Sequence, residues 1–112
     1  MKKIFALLAV ALSFNAFAGN IEAGKAAAQK YNCASCHGAD YQSPVDPSYP
    51  KLAGQHADYI EHALTAYQRG AAGANGRGNA IMGGMAKPLS KTEIKDIAAY
   101  LSSLPGSLVL RK

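Results

Sequence analysis

The chain has 112 residues, 49% of them hydrophobic but only 8% aromatic and none tryptophan, with a formal net charge of +5. That length suits one small domain. With so few large side chains the apolar area buried per residue is modest, so something besides the chain's own side chains is expected to complete the core. The basic excess is small, and Lys2 and Lys3 fall in the leader described next, which argues against nucleic acid as a partner.

Lys2-Lys3, the apolar stretch from Ile4 to Phe14, and Ala16-Phe17-Ala18 ahead of Gly19 read as the charged, apolar and A-x-A parts of a secretory signal peptide. The run is shorter than the roughly 20 apolar residues that span a bilayer. Cleavage is expected after Ala18, making residues 1–18 the signal peptide and residues 19–112 one exported domain without a transmembrane anchor.

The alanine-rich segment Ile21 to Asn32 predicts a helix, with Glu22 favourable near its start. Gly24 within it costs about 1 kcal/mol relative to alanine and points to close approach of another backbone. Next comes Cys33-Ala34-Ser35-Cys36-His37, whose C-x-x-C-H spacing is the attachment signature of c-type haem. Each thiol can add to one haem vinyl group, and the adjacent imidazole can reach iron as the proximal ligand. Two other meanings compete. A thioredoxin-like dithiol belongs in a βαβ pattern, and nothing in this chain alternates like a strand. A structural zinc site wants four ligands, while the remaining histidines, His56 and His62, have no accompanying cysteine. A disulfide between the two cysteines would close too short a loop to add much stability.

From Gly38 to Gly54 the prolines Pro44, Pro47 and Pro50 break any period and predict a loop. Helix resumes from His56 to Gln68, where Ile60, Ala63, Leu64 and Tyr67 share one face, and Gly70 ends it. Residues Gly70 to Gly84 are glycine-rich and predict a loop able to lie closely against something flat. The last helix opens on the capping box Ser90-x-x-Glu93, repeats Ile94, Ile97, Ala98 and Leu101, and stops before Pro105-Gly106. No repeat, charge run or linker divides the chain, so a single all-α domain is expected.

This order of elements resembles that of class I c-type cytochromes, and among them the small monohaem bacterial cytochromes of the c553 and c4-domain type. The specific echoes are Gly24-Lys25, Tyr49 to Gln55, Met82 eight residues before Ser90, and Asp96 to Leu101, all beside the haem motif. The resemblance implies a cytochrome c fold whose helices pack around one covalently attached haem c per chain. It implies that the Pro50 carbonyl accepts the proximal imidazole N–H; the plainer alternative for Pro50 is a turn residue. It implies further that Gly24 lies where the first and last helices cross, with Tyr100 packed at the crossing. For the sixth iron ligand the candidates are Met82, Met85, His56 and His62; the family position selects Met82 in the glycine-rich loop, with Met85 as the alternative.

The implied function is that of a soluble, monomeric, periplasmic carrier of single electrons in a respiratory chain rather than an enzyme. Its expected partners are redox proteins such as respiratory complexes, oxidases or reductases, and Lys51, Lys87, Lys91 and Lys95 could steer an acidic one. The alternatives are a haem subunit of a larger oxidoreductase complex, or a thiol–disulfide oxidoreductase using Cys33 and Cys36.

Overall fold

The computed structural model describes residues 19–107, and the expected signal peptide, residues 1–18, lies outside the described residues. The described residues form five helices and no strand: α1 (Ile21–Lys30), α2 (Ala34–His37), α3 (Ala57–Arg69), α4 (Ala80–Ala86) and α5 (Lys91–Ser103). The all-α expectation therefore holds.

Asn20 stands in extended backbone ahead of α1, and its side chain accepts the Ala23 N–H, satisfying one of the open amides at a helix start. Its own N–H donates to Asp96 Oδ1 at 2.8 Å, tying the start of α1 to α5. The helix ends at Lys30, short of the expected Asn32. Asn32 takes a positive φ of 54°, which asparagine tolerates better than most residues. The N–H groups of Asn32 and Cys33 then turn back to the carbonyls of Gln29 and Ala28. This is a Schellman closure, and it delivers Cys33 at a fixed angle to the helix it follows.

The most extensive helix contact is between α1 and α5. A Cβ added to Gly24 would run into the Asp96 carbonyl and stand 2.8 Å from the Tyr100 Cβ. Gly24 is thus accounted for by the close approach of α5. Tyr31 makes a second tie, its hydroxyl donating to Glu93 Oε1 at 3.1 Å. Glu93 also closes the capping box with Ser90 at the start of α5. Hydrogen bonding from the Ser90 N–H, helped by the Tyr31 hydroxyl and by Lys30, holds the Glu93 carboxyl below its ordinary pKa. Gly24→Ala should therefore cost about 1–3 kcal/mol through overpacking, a fall in Tm of roughly 4–8 °C per kcal/mol in a domain of this size. A melt coincident with that of the parent protein would show that the helices part without cost.

The buried cluster joins Ala27 and Ala28 of α1, Ile60 of α3 and Ile94, Ile97, Ala98 and Leu101 of α5. Much of it is alanine, as the composition implied. Tyr41, from the loop after α2, is also buried and takes a φ of 57°. Its ring meets Tyr100 edge-on at 6.1 Å, and burial pushes its hydroxyl pKa up to about 12.

One element differs from the sequence expectation. Gly70 does end α3, with φ 70°, but the glycine-rich stretch does not stay irregular to Gly84. It turns into α4 at Ala80, because the Asn79 side chain accepts the N–H groups of both Ile81 and Met82. Packing of α4 on α3 supports it, and Gly83 and Gly84 are carried inside the helix. Met82 and Met85 therefore lie on a helix and not in a flexible loop.

Candidate haem attachment site

The C-x-x-C-H residues form a turn of helix of their own. Cys33 precedes α2 with helical backbone angles, its carbonyl accepts the His37 N–H at 3.1 Å, and the Gly38 N–H closes on Ala34. Residues three and four apart on a helix are neighbours, so Cys33, Cys36 and His37 project from one side. This is the physical content of the motif's spacing: helical pitch aligns two sulfurs and an imidazole. Both thiols are free and half-buried. Burial pushes the Cys33 thiol above its ordinary pKa, and the neighbouring Cys36 adds to the rise, against a smaller lowering by a backbone hydrogen bond.

His37 is 6% exposed, and its Nδ1 stands 2.9 Å from the carbonyl oxygen of Pro50. A carbonyl can only accept, so Nδ1 carries the proton and donates it, leaving the lone pair on Nε2. The Tyr49 ring stands beside the imidazole, tilted by 46° with centroids 6.4 Å apart.

Local turns bring Pro50 back to the motif. Asp40 accepts from the N–H groups of Gln42 and Ser43, Asp46 accepts from the N–H and hydroxyl of Ser48, and the Val45 N–H donates to the Cys36 carbonyl at 3.0 Å. Such Asx turns set the course of a chain without regular structure.

The distal candidates divide by burial. Met82 is half-buried on α4, whereas Met85 on the same helix is 38% exposed. The Met82 N–H is also held by Asn79 Oδ1 at 2.9 Å. His56 and His62 are exposed and line, with Asp58 and Tyr59, an open cleft of about 440 Å³ on α3. None of Cys33, Cys36, His37 and Met82 borders that cleft.

Of the four lysines singled out, Lys51 follows Pro50 directly and Lys87 closes α4 as its cap, both exposed. Lys91 opens α5. Lys95 is set apart, with its carbonyl against Gly19 beside the crossing with α1. Sequence reasoning missed the buried Tyr41 and the Asn79 cap; Asn79 immediately before an apolar run was the available signal for the cap.

Two thiols and an imidazole nitrogen on one side of a single helical turn are the donor set that a vinyl-bearing porphyrin iron requires, so the residues fit haem c. Among the described residues no cluster of three or more His, Cys, Asp and Glu side chains could hold a metal ion by itself.

Comparison with known proteins agrees. The family model described as cytochrome c matches residues 21–105. A cytochrome c4 of Stutzerimonas stutzeri is 39% identical over 115 residues, covering 96% of this chain and 53% of its own. The cytochrome c-554(548) of Halomonas halodenitrificans is 46% identical over 71 residues, covering 63% of this chain and 82% of its own. The crystal structure of reduced recombinant cytochrome c4 from Pseudomonas stutzeri matches with a TM-score of 0.69 at 39% identity, over 81% of this chain and 48% of that one. The chain thus spans about half the length of the cytochrome c4 relatives it matches. With the helical fold, the C-x-x-C-H turn and a family match running from the start of α1 past the end of α5, the chain belongs to the cytochrome c family, and its cofactor is covalently bound haem c.

Proposed function

We propose that the protein is an exported, periplasmic monohaem electron carrier in which Cys33 and Cys36 attach the haem, His37 is the proximal ligand and Met82 the distal one. The observation that carries this is the hydrogen bond from His37 Nδ1 to the Pro50 carbonyl at 2.9 Å, in a helical turn that also presents both thiols. It fixes the imidazole tautomer so that Nε2 offers its lone pair, and it raises the basicity of that nitrogen. Pro50 is assigned this orienting role. Each thiol would add across a vinyl C=C, sulfur to one carbon and the proton to the other, with no oxidant consumed. Bound haem supplies a one-electron iron couple. His37 and Met82 would hold the iron between them and leave no open place for substrate, so the bound haem would serve outer-sphere transfer. Methionine opposite histidine raises the reduction potential relative to two histidines.

A thiol–disulfide activity of the thioredoxin kind belongs to a βαβ setting, whereas here the two cysteines sit in a helical turn between α1 and the loop to α3. No helix among the described residues is long and apolar enough to cross a membrane. The direct test is intact mass after denaturation and acid-acetone extraction of protein exported from a haem-c-competent host. Haem should stay with the polypeptide; haem that leaves with the solvent would end the attachment assignment.

Partner docking is assigned to Lys51 and Lys87, the two exposed cations adjoining Pro50 and α4. Electron transfer to an acidic redox protein should slow as salt rises, because the Debye length falls to about 8 Å at 0.15 M. Charge reversal of Lys87 should weaken that dependence more than reversal of the exposed Lys25 on α1. Equal effects, or a salt-independent rate, would discard the basic surface.

A further inference from the structure

A helix of seven residues containing two glycines, as α4 is, has little stability of its own. Its position must come from its surroundings, and the structure shows two attachments to α3. On the C-terminal side the half-buried Gln68, in the last turn of α3, donates from Nε2 to the carbonyls of Ala86 at 2.9 Å and Leu89 at 2.8 Å. Ala86 is the last residue of α4 and is completely buried, and Leu89 lies on the link to α5. Both hydrogens of the Gln68 amide are therefore spent on holding the end of α4. On the N-terminal side the Arg77 N–H donates to the Ala66 carbonyl at 3.0 Å. The Arg77 guanidinium lies over the rings of Tyr59 and Tyr67, 5.4 and 5.6 Å from their centroids. Two residues later Asn79 caps α4 on the Met82 N–H itself. The helix bearing Met82 hangs from α3 at both ends.

We propose that Gln68 is a positioning residue for the distal ligand: by tying the Ala86 and Leu89 carbonyls to α3 it keeps the Met82 thioether on iron and limits how readily an outside ligand takes its place. This rests on Met82 as the distal ligand. The hydrogen bonds of the Gln68 side chain go to the backbone at the end of α4, and it acts through that backbone.

The test uses ferric holoprotein titrated with imidazole and followed optically. Met82→Ala comes first, and it should bind imidazole far more tightly than the parent protein. If it does not, Met82 is not the distal ligand, and that failure is independent of Gln68. Given the expected result, Gln68→Leu keeps the bulk but loses both donors. It should bind imidazole about 10- to 30-fold more tightly, the equivalent of two hydrogen bonds of ordinary strength, while still showing methionine ligation when imidazole is absent. Gln68→Glu, which has the same shape but can only accept as a carboxylate, should change in the same direction and serves if the leucine variant fails to fold. Tyr31→Phe controls for general loosening, because it removes the α1–α5 tie to Glu93 and leaves both Gln68 hydrogen bonds in place. It should leave imidazole affinity unchanged. Parent-like affinity in both Gln68 variants, or an equal gain in Tyr31→Phe, overturns the proposal.

Discussion

The double variant Cys33→Ser/Cys36→Ser should lose cooperative folding along with its haem. The buried cluster is built largely from alanine and aliphatic side chains of α1, α3 and α5, and among the described residues no large side chain is completely buried. Each 100 Å² of apolar surface removed from water contributes about 2.5 kcal/mol, against about 5–15 kcal/mol for the net stability of a whole domain. A few hundred Å² of porphyrin surface is therefore worth as much as the fold itself, and a group bound only by the native state stabilises that state. Far-ultraviolet circular dichroism on heating should show a sigmoidal transition for the holoprotein and a shallow, sloping loss for the double variant. Serine at one position only should leave a single thioether and an intermediate melt. A double variant that still melts cooperatively within about 10 °C of the parent would mean that the alanine-rich core suffices alone.

How far such behaviour can be foreseen from the sequence depends on the element. The helices α1, α3 and α5 announce themselves, α1 by its alanine-rich composition and α3 and α5 by an apolar period of 3.6 residues, and local chemistry marks boundaries: Ser90 with Glu93 starts α5, and Gly70 stops α3. Gly24 was legible too, as a residue whose propensity cost demands a packing reason, and the Asp96 carbonyl is that reason. What stayed hidden depends on side chains competing with composition. Glycine content argues against α4, yet the Asn79 carboxamide supplies two hydrogen bonds at its start and α3 supplies the packing. The early end of α1 turns on the one residue, Asn32, that accepts a left-handed backbone there. Tyr41 enters the core from a loop that has no period to read, so its burial follows only from the three-dimensional course set by Asp40 and Asp46. The same course brings Pro50 to His37 across 13 residues of sequence. Spacing alone could not have chosen Pro50 over Pro44 or Pro47; the family resemblance did.

Met82→Ala should abolish the weak near-infrared charge-transfer band expected of methionine-ligated ferric haem, and Met85→Ala should keep it. The two side chains are one helical turn apart on α4, so sequence distance separates them poorly, and the structure separates them by environment. Met82 is half-buried and its N–H is fixed by Asn79 at the start of the helix. Met85 is 38% exposed, and the more exposed thioether has more rotamer freedom to give up as a ligand. Loss of the thioether should also lower the reduction potential, since methionine opposite histidine raises it, so potentiometry gives a second readout independent of the band. If Met85→Ala loses the band while Met82→Ala keeps it, the ligand is Met85. If neither variant changes the band or the potential, methionine is not the ligand, and His56 and His62 return as the imidazoles to test, although both are exposed on the side of α3 facing the open cleft.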